Sequence, residues 1–366
     1  MRYVMLFLLC ICGLSPLYAQ QNMPKSWEHV VLDSDNREVR FEQRTFRNPA
    51  DALRGWSLDT SQAYVFQWAG VPLVAIRPAG VNHWSVADAP RVPRYRADIP
   101  VHTGKTHRLD FSILPQFVAQ FGNFEQPVEA KTTVHLQTHL VLARGLTLLG
   151  SLVFPVENTL DNQPNEIRLG PIFANQFFRT GRADFWSISA GYFFTNQYGV
   201  NVQYRHWSAV RPWGYGFEAS LSGEYYFFRR GQFHGPLQER LFLGNVSYRL
   251  KKPSVTLQAT FGQFLFQDRG IRGDFIRQFD RVDVGLWSAF TTNGATLGFN
   301  LAIPLWPRGH YPGVQGKGAK APRLRMAEEF RWEYNYTRGF QIGERYRLGP
   351  RLDERLRMYE QPYLQR

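Results

Sequence analysis

Along much of this chain, apolar and polar residues alternate one for one. In Ser254-Val-Thr-Leu-Gln-Ala-Thr-Phe-Gly-Gln-Phe264, the apolar Val255, Leu257, Ala259 and Phe261 interleave with Thr256, Gln258 and Thr260. Thr296 to Ile303, Val282 to Trp287 and Val200 to Tyr204 repeat the pattern. A period of two sends one set of side chains to each face of a sheet. Further segments of this kind lie at 108–121, 131–143, 146–154, 167–178, 184–194, 214–228, 240–250 and 273–280. Their regular spacing predicts an up-and-down antiparallel sheet of about 12 strands over 106–306.

Residues 20–105 have a different texture. Val30 to Leu32, Val39 to Glu42, Ala63 to Trp68 and Val71 to Ile76 read as short strands. Asn48-Pro49 reads as the capped start of a helical turn through Leu53, because proline suits the first turn and asparagine can cap it. A small α+β module followed by a Pro- and Arg-rich linker over 88–105 is expected.

Composition decides between two fates for the long sheet. Phe, Tyr and Trp number 29, 17 and 10, and aromatics make up 15% of the chain, yet its mean hydropathy is mildly polar at -0.35. A membrane barrel turns its aromatics outward and alternates them with polar residues inside, which keeps the average polar. The clusters Trp207, Trp213-Gly-Tyr215, Tyr225-Tyr-Phe-Phe228 and Tyr192-Phe-Phe194 fall near predicted strand ends, as interfacial belts require. The fold class expected is therefore mainly β, a transmembrane β-barrel preceded by a small α+β module.

Residues 1–19 carry Arg2, an uncharged apolar run from Val4 to Leu14, and Leu17-Tyr18-Ala19 before Gln20, the features of a cleaved secretory signal peptide. That run is too short to span a bilayer as a helix, which takes about 20 residues. Cys10 and Cys12 both lie within it, so disulfide, thiol and cysteine-metal chemistry is not expected of the mature chain. The net charge of +13 is densest in the tail over 307–366, which has 13 Lys and Arg against 7 Asp and Glu. Such a tail suits a solvated surface or an anionic partner. Nucleic acid is not expected, since no binding motif is present.

Several of these segments resemble one family. The stretch Gly262-Gln-Phe-Leu-Phe-Gln-Asp-Arg-Gly-Ile-Arg-Gly-Asp-Phe-Ile-Arg-Gln-Phe279, with Val282 to Trp287 and Gly298 to Leu305, resembles the closing hairpins of YjbH-type proteins. Leu109 to Phe117, Gln120 to Glu125, Gly191 to Gly199 and Phe41 to Pro49 are also similar to that family. The resemblance covers most of 30–340 and implies an outer-membrane protein that assists exopolysaccharide or capsule production and export. Its implied partners are outer-membrane lipids, anionic polysaccharide and periplasmic export-machinery proteins. This chain departs from the family in lacking a lipobox cysteine and in being shorter than the two-barrel members.

The residues offer few constellations for chemistry. Asp268, Arg269, Arg272, Asp274, Arg277 and Asp280 form the densest alternation of charge. Arginine at mid-depth facing lipid costs about 2–4 kcal/mol, so these residues are expected to line the lumen or a turn as a ladder of ion pairs. The same surface could meet sugar hydroxyls or uronates. His135 and His139 on one strand would stand about 13 Å apart, too far for one metal ion. His206 and Ser208 are the nearest approach to a nucleophile and base, but two residues on one strand make no triad. Gly309 to Gly318 lacks the following helix that a phosphate loop needs, and reads as a flexible exit from the sheet. Leu297 to Leu305 is expected to be the last strand of the sheet, with a basic, helix-like end from Leu352 to Tyr359. No catalytic residue, metal or cofactor is expected. A barrel enzyme acting on lipid or polysaccharide and a soluble periplasmic β-rich binding protein are the alternatives.

Overall fold

The structure, a computed structural model, describes residues 27–90, 109–303, 314–315, 323–326, 330–338 and 348–360 with short interruptions, and over 314–338 the backbone only. The expected signal segment, the linker beyond residue 90 and most of the glycine-rich stretch 309–318 lie outside the described residues. The chain is mainly β, a five-stranded sheet followed by a large, mostly antiparallel one.

The small sheet runs in sequence order through β1 (Glu28–Asp33), β2 (Glu38–Glu42), β3 (Ala63–Trp68), β4 (Val71–Gly80) and β5 (His83–Asp88). β5 was not foreseen, and β2 pairs with β3 in parallel. Between those two strands a 3-10 turn, Pro49–Ala52, starts as expected, with Asn48 Oδ1 accepting from the N–H of Ala50 at 3.0 Å. Trp27, Phe41, Tyr64, Phe66, Leu73 and Ile76 are buried together, with Trp27 stacked on Phe41 at 4.1 Å.

The large sheet begins with β6 (Leu109–Phe121), β7 (Val128–Ala143), β8 (Leu146–Asn158), β9 (Arg168–Arg179), β10 (Asp184–Tyr192), β11 (Gln197–His206) and β12 (Trp213–Phe228). A short β13 (Gly231–His234) folds back on β12. The sheet continues with β14 (Glu239–Leu250), β15 (Val255–Gln263), β16 (Arg269–Gln278), β17 (Asp283–Thr291) and β18 (Gly294–Ile303). Each of these pairs antiparallel with its neighbour, as period-two alternation and short turns dictate.

The tail departs from expectation. β19 (Val314–Gln315), β20 (Arg323–Met326) and β21 (Phe330–Arg338) join the same sheet. β18 is therefore not the last strand, because β21 pairs antiparallel with it, Ile303 opposite Phe330. β21 also pairs in parallel with β6, Arg331 opposite Gln116, and β20 is parallel to β6 as well. A purely up-and-down sheet is thus corrected to one with parallel contacts at β6, which also pairs antiparallel with β7. Arg331 to Tyr336 has the aromatic-polar alternation of a strand, and pairing satisfies its backbone groups.

The two faces of this sheet differ sharply. Trp213, Tyr248, Leu257, Phe275, Leu286 and Phe299 stand opposite one another in one row across five junctions from β12 to β18, omitting β13. The neighbouring row, on the other face, reads Gly214, Ser247, Gln258, Asp274, Trp287 and Gly298. The apolar row is exposed except for the half-buried Tyr248, with Leu286 at 56%, whereas Ser247 and Gln258 are buried. The polar face is therefore the covered one, which inverts the usual arrangement of a water-soluble protein.

Candidate functional site

The polar face is covered by the small sheet and by the end of the chain. Arg179, at the end of β9, donates to the carbonyl oxygens of Pro72 and Ala89, and Asp88 accepts from Ser208 Oγ at 2.9 Å. Arg44 bridges from the small sheet to Asp110 on β6 at 2.6 Å. Leu348 packs with Phe173, Phe193, Leu241, Phe264 and Leu265, near the strand ends remote from the small sheet. From there the chain runs along the polar face as helix α1 (Leu352–Arg357) and a 3-10 turn, Met358–Glu360. Tyr359 of that turn lies against Phe66 of the small sheet at 5.7 Å.

α1 is amphipathic in the way its spacing allows. Leu352, Leu356 and Tyr359 recur at helical intervals and join the cluster of Trp27, Phe66, Phe177 and Trp207. Asp353, Arg357 and Glu360 recur on the other stripe, towards the polar strands. Three glutamines of the sheet grip that stripe. Gln203 Oε1 accepts from the N–H of Leu352 at 2.8 Å, Gln258 Nε2 donates to Asp353 at 3.2 Å, and Gln278 Nε2 donates to the carbonyl of Arg357 at 3.2 Å. Arg249 Nη2 donates to the Glu360 carbonyl at 2.8 Å, and its Nη1 lies 3.9 Å from the Glu360 carboxylate.

Two arginines lie deepest in this wall, Arg205 at 4% exposure and Arg249 at 6%. Arg205 reaches across β12 to Asn245 Oδ1 and Ser247 Oγ on β14, both at 2.7 Å. It crosses over Gly214, where a Cβ would lie 2.9 Å from Ser247 Oγ and 3.4 Å from Arg205 Nη2. Arg249 reaches Thr256 at 2.9 Å and, by a short hydrogen bond, Gln278. Nε of each arginine has no hydrogen-bond partner. The negative charges acting on Arg205 are those of Asp353 and Glu360, while the Glu218 carboxylate acts on Arg351 of the tail.

Burial alone would push the Asp353 carboxyl up, but Arg351, Arg357 and Arg205 prevail and hold it well below the usual carboxylate range. Arg351 Nε is 3.0 Å from it. A depressed folded-state pKa means that the contribution to docking is fully present above the unfolded value of about 4, and is lost only as pH falls through the depressed one. Acidification from neutral to about pH 4 is therefore expected to leave α1 docked, with the amides of 352–357 keeping their hydrogen-exchange protection once the intrinsic pH dependence of exchange is corrected for. Loss of that protection at pH 4 would contradict the ion-pair geometry. Arg355 is pushed down to about 10 by burial, and stacks over Trp68 at 4.6 Å and Phe177 at 5.1 Å.

The charged stretch expected to form a ladder is divided by strand parity. Arg272 and Asp274 share the polar face and pair at 2.8 Å, with Arg272 over Trp287 at 4.2 Å. Asp268 is buried in the turn before β16, where it accepts from Thr292 Oγ1 at 2.9 Å and from the N–H of Asn293. Arg269 and Arg277 have the parity of Ile271 and Phe275, on the apolar face. Arg269 bonds Gln263, and Arg277 caps the Phe279 ring at 4.8 Å. Asp280 lies outside the described residues. Among the described residues of this stretch, the ion pair seen on the polar face is Arg272 with Asp274.

No family model, curated protein or solved structure matches the chain.

His206 and Ser208 do not work as a couple. His206 Nδ1 is 2.9 Å from Asp184 and its ring stacks on Tyr215, whereas the Ser208 hydroxyl donates to Asp88. His135 and His139 both lie on the polar face, one bonded to Thr133 and the other against Trp68. Among the described residues no group of three His, Cys, Asp or Glu could hold a metal ion. The residues that sequence reasoning missed are Gln203, Arg205, Arg249, Gln258, Gln278, Asp353 and Glu360. All but the last two are polar members of alternating strands, and that was the signal available.

Proposed function

We propose that the chain is an outer-membrane β-barrel protein with a plugged lumen, and that it assists exopolysaccharide or capsule production and export without catalysing a reaction. One observation carries the membrane reading, namely the exposed apolar face. Phe242, Phe290 and Leu286 are 65%, 62% and 56% exposed, while polar side chains fill the covered face. In water this would be a large uncovered apolar surface, and in lipid it is the required one.

The pairings support closure. From β6 they run through β7 to β12 and β14 to β18, then to β21 and back to β6. Aromatic clusters support it too. Trp186, Tyr204 and Phe217 meet at the end next to the small sheet, and Tyr192, Tyr198 and Phe227 at the other. Trp186 and Tyr192 are six residues apart on β10, about 20 Å at 3.3 Å per residue, close to the height of a lipid-facing band. No helix among the described residues is long and apolar enough to cross a membrane, so strands would make the crossing.

The process assigned here rests on the resemblance to YjbH-type proteins, and the Gln-, Asn-, Ser- and Arg-rich lumen suits polymers that bear hydroxyls and carboxylates. Purified in detergent, the protein is expected to migrate faster unboiled than boiled and to resist extraction from membranes by carbonate. A single mobility together with carbonate release would overturn the barrel. Wild-type polysaccharide secretion in a deletion strain would overturn the assigned process.

A further inference from the structure

We propose that Arg205 and Arg249 form an anion-binding site in the lumen, that α1 and the turn after it mask this site with their own carboxylates, and that the ligand is a carboxylate-bearing polysaccharide. The identity of the ligand rests on the function proposed above; the masked site rests on geometry.

Both guanidinium groups are buried, and both are held from behind by neutral acceptors: Asn245 and Ser247 for Arg205, Thr256 and Gln278 for Arg249. Such partners orient a cation without neutralising it, and they leave its charge for something on the open side. Each keeps an Nε–H without a partner, a costly vacancy for a buried donor. Among the described residues no carboxylate comes within 4.0 Å of Arg205. Arg249 has Glu360 at 3.9 Å, well beyond the roughly 2.8 Å of a good charge-assisted hydrogen bond, and Glu360 Oε2 itself has no hydrogen-bond partner.

The carboxylates of the tail thus supply charge to these arginines without filling their donors. A uronate could approach either fork with two parallel hydrogen bonds. Gln203, Gln258 and Gln278 flank the site, and their amides, now spent on α1, have the donors and acceptors that sugar hydroxyls need. Leu352, Leu356 and Tyr359 anchor α1 and the turn after it in the apolar cluster, and Trp207 donates to the Glu360 carboxylate, so an acidic chain offering many carboxylates competes for the polar stripe facing the arginines rather than for the whole helix.

Isothermal titration of the full-length protein in detergent with oligogalacturonate, and with neutral dextran oligomers as control, tests this. Replacing both masking acids, Asp353→Asn with Glu360→Gln, is expected to tighten oligogalacturonate binding about tenfold, since charge-assisted contacts to the arginines are exchanged rather than lost. Arg205→Gln with Arg249→Gln in that background is expected to abolish the gain. An unchanged affinity in the acid variant, persistence of the gain without the two arginines, or equal binding of dextran would each overturn the masked site. Displacement of oligogalacturonate by equimolar inorganic phosphate would overturn the polysaccharide as its ligand. Unboiled gel mobility of every variant is read in parallel. A heat-modifiable protein that fails the titration sinks this inference alone, whereas loss of heat-modifiability in the unaltered protein sinks the barrel.

Discussion

Leu286→Arg is expected to destabilise the folded protein in phospholipid vesicles by about 2–4 kcal/mol, measured by reversible denaturant unfolding. Leu286 lies in the middle of β17, 56% exposed, between Phe275 of β16 and Phe299 of β18. If that face met water, an arginine there would keep its head solvated, and the change would fall within about 0.5 kcal/mol. If it meets hydrocarbon, the guanidinium must be desolvated or must drag headgroups and water inward. The two readings of the large sheet thus differ by several-fold in one number. The native chain contains its own control, because Arg277 also has outward parity but stands at the end of β16, over Phe279. Near the interface such a charge costs only about 0–1 kcal/mol. Arg277→Leu is accordingly expected to change stability little, and a large effect there would place the lipid boundary elsewhere.

Arg44→Met is expected to cost about 3–5 kcal/mol and to loosen the small sheet from the large one. Arg44 is the buried hub of three carboxylates: Asp110 of β6 at 2.6 Å, Glu28 at 3.2 Å and Glu42 at 3.7 Å. Burial would lower its pKa, but these carboxylates prevail and raise it above the usual value, so it is charged at any working pH. Without it, the three buried carboxylates lose the cation they share, and that uncompensated burial carries the cost. Limited proteolysis of the small sheet would show the loosening, and wild-type resistance in the variant would contradict the ion cluster. Arg44→Lys should lose less, because a point charge remains although the fork is gone.

Most of the strands were legible because alternation is a local property. Val255 to Phe261 tells its own faces apart without reference to any partner. Parity, applied strictly, would also have divided the charged stretch: Arg269 and Arg277 count with Ile271 and Phe275, and Arg272 with Asp274. Reading that stretch as one ladder gave charge density priority over period. β21 was visible as aromatic-polar alternation in Arg331 to Tyr336, yet its place beside β6 depends on pairing between residues at opposite ends of the sheet-forming chain. No local pattern encodes such a partner. The helix-like end was legible as a helix, but not as the cover of the polar face. Asp353 and Glu360 look like ordinary helix-surface acids until Arg205, Arg249 and Gln258 are brought against them by separate strands. Long-range electrostatic complementarity is the part of this fold that period and propensity do not carry.

The parallel seam between β6 and β21 sets an order of events for biogenesis. The junctions from β6 to β18 follow chain order, whereas this pairing, like that of β20 with β6, must wait for strands made much later. Residues 348–360 come later still, and they lie along the polar face of the same sheet. On the barrel reading, the end of the chain must be inside before the seam shuts, or be drawn in through an end. On that reading, closure is a wrapping event around α1, and its rate should respond to changes in α1 far more than to changes in any single hairpin.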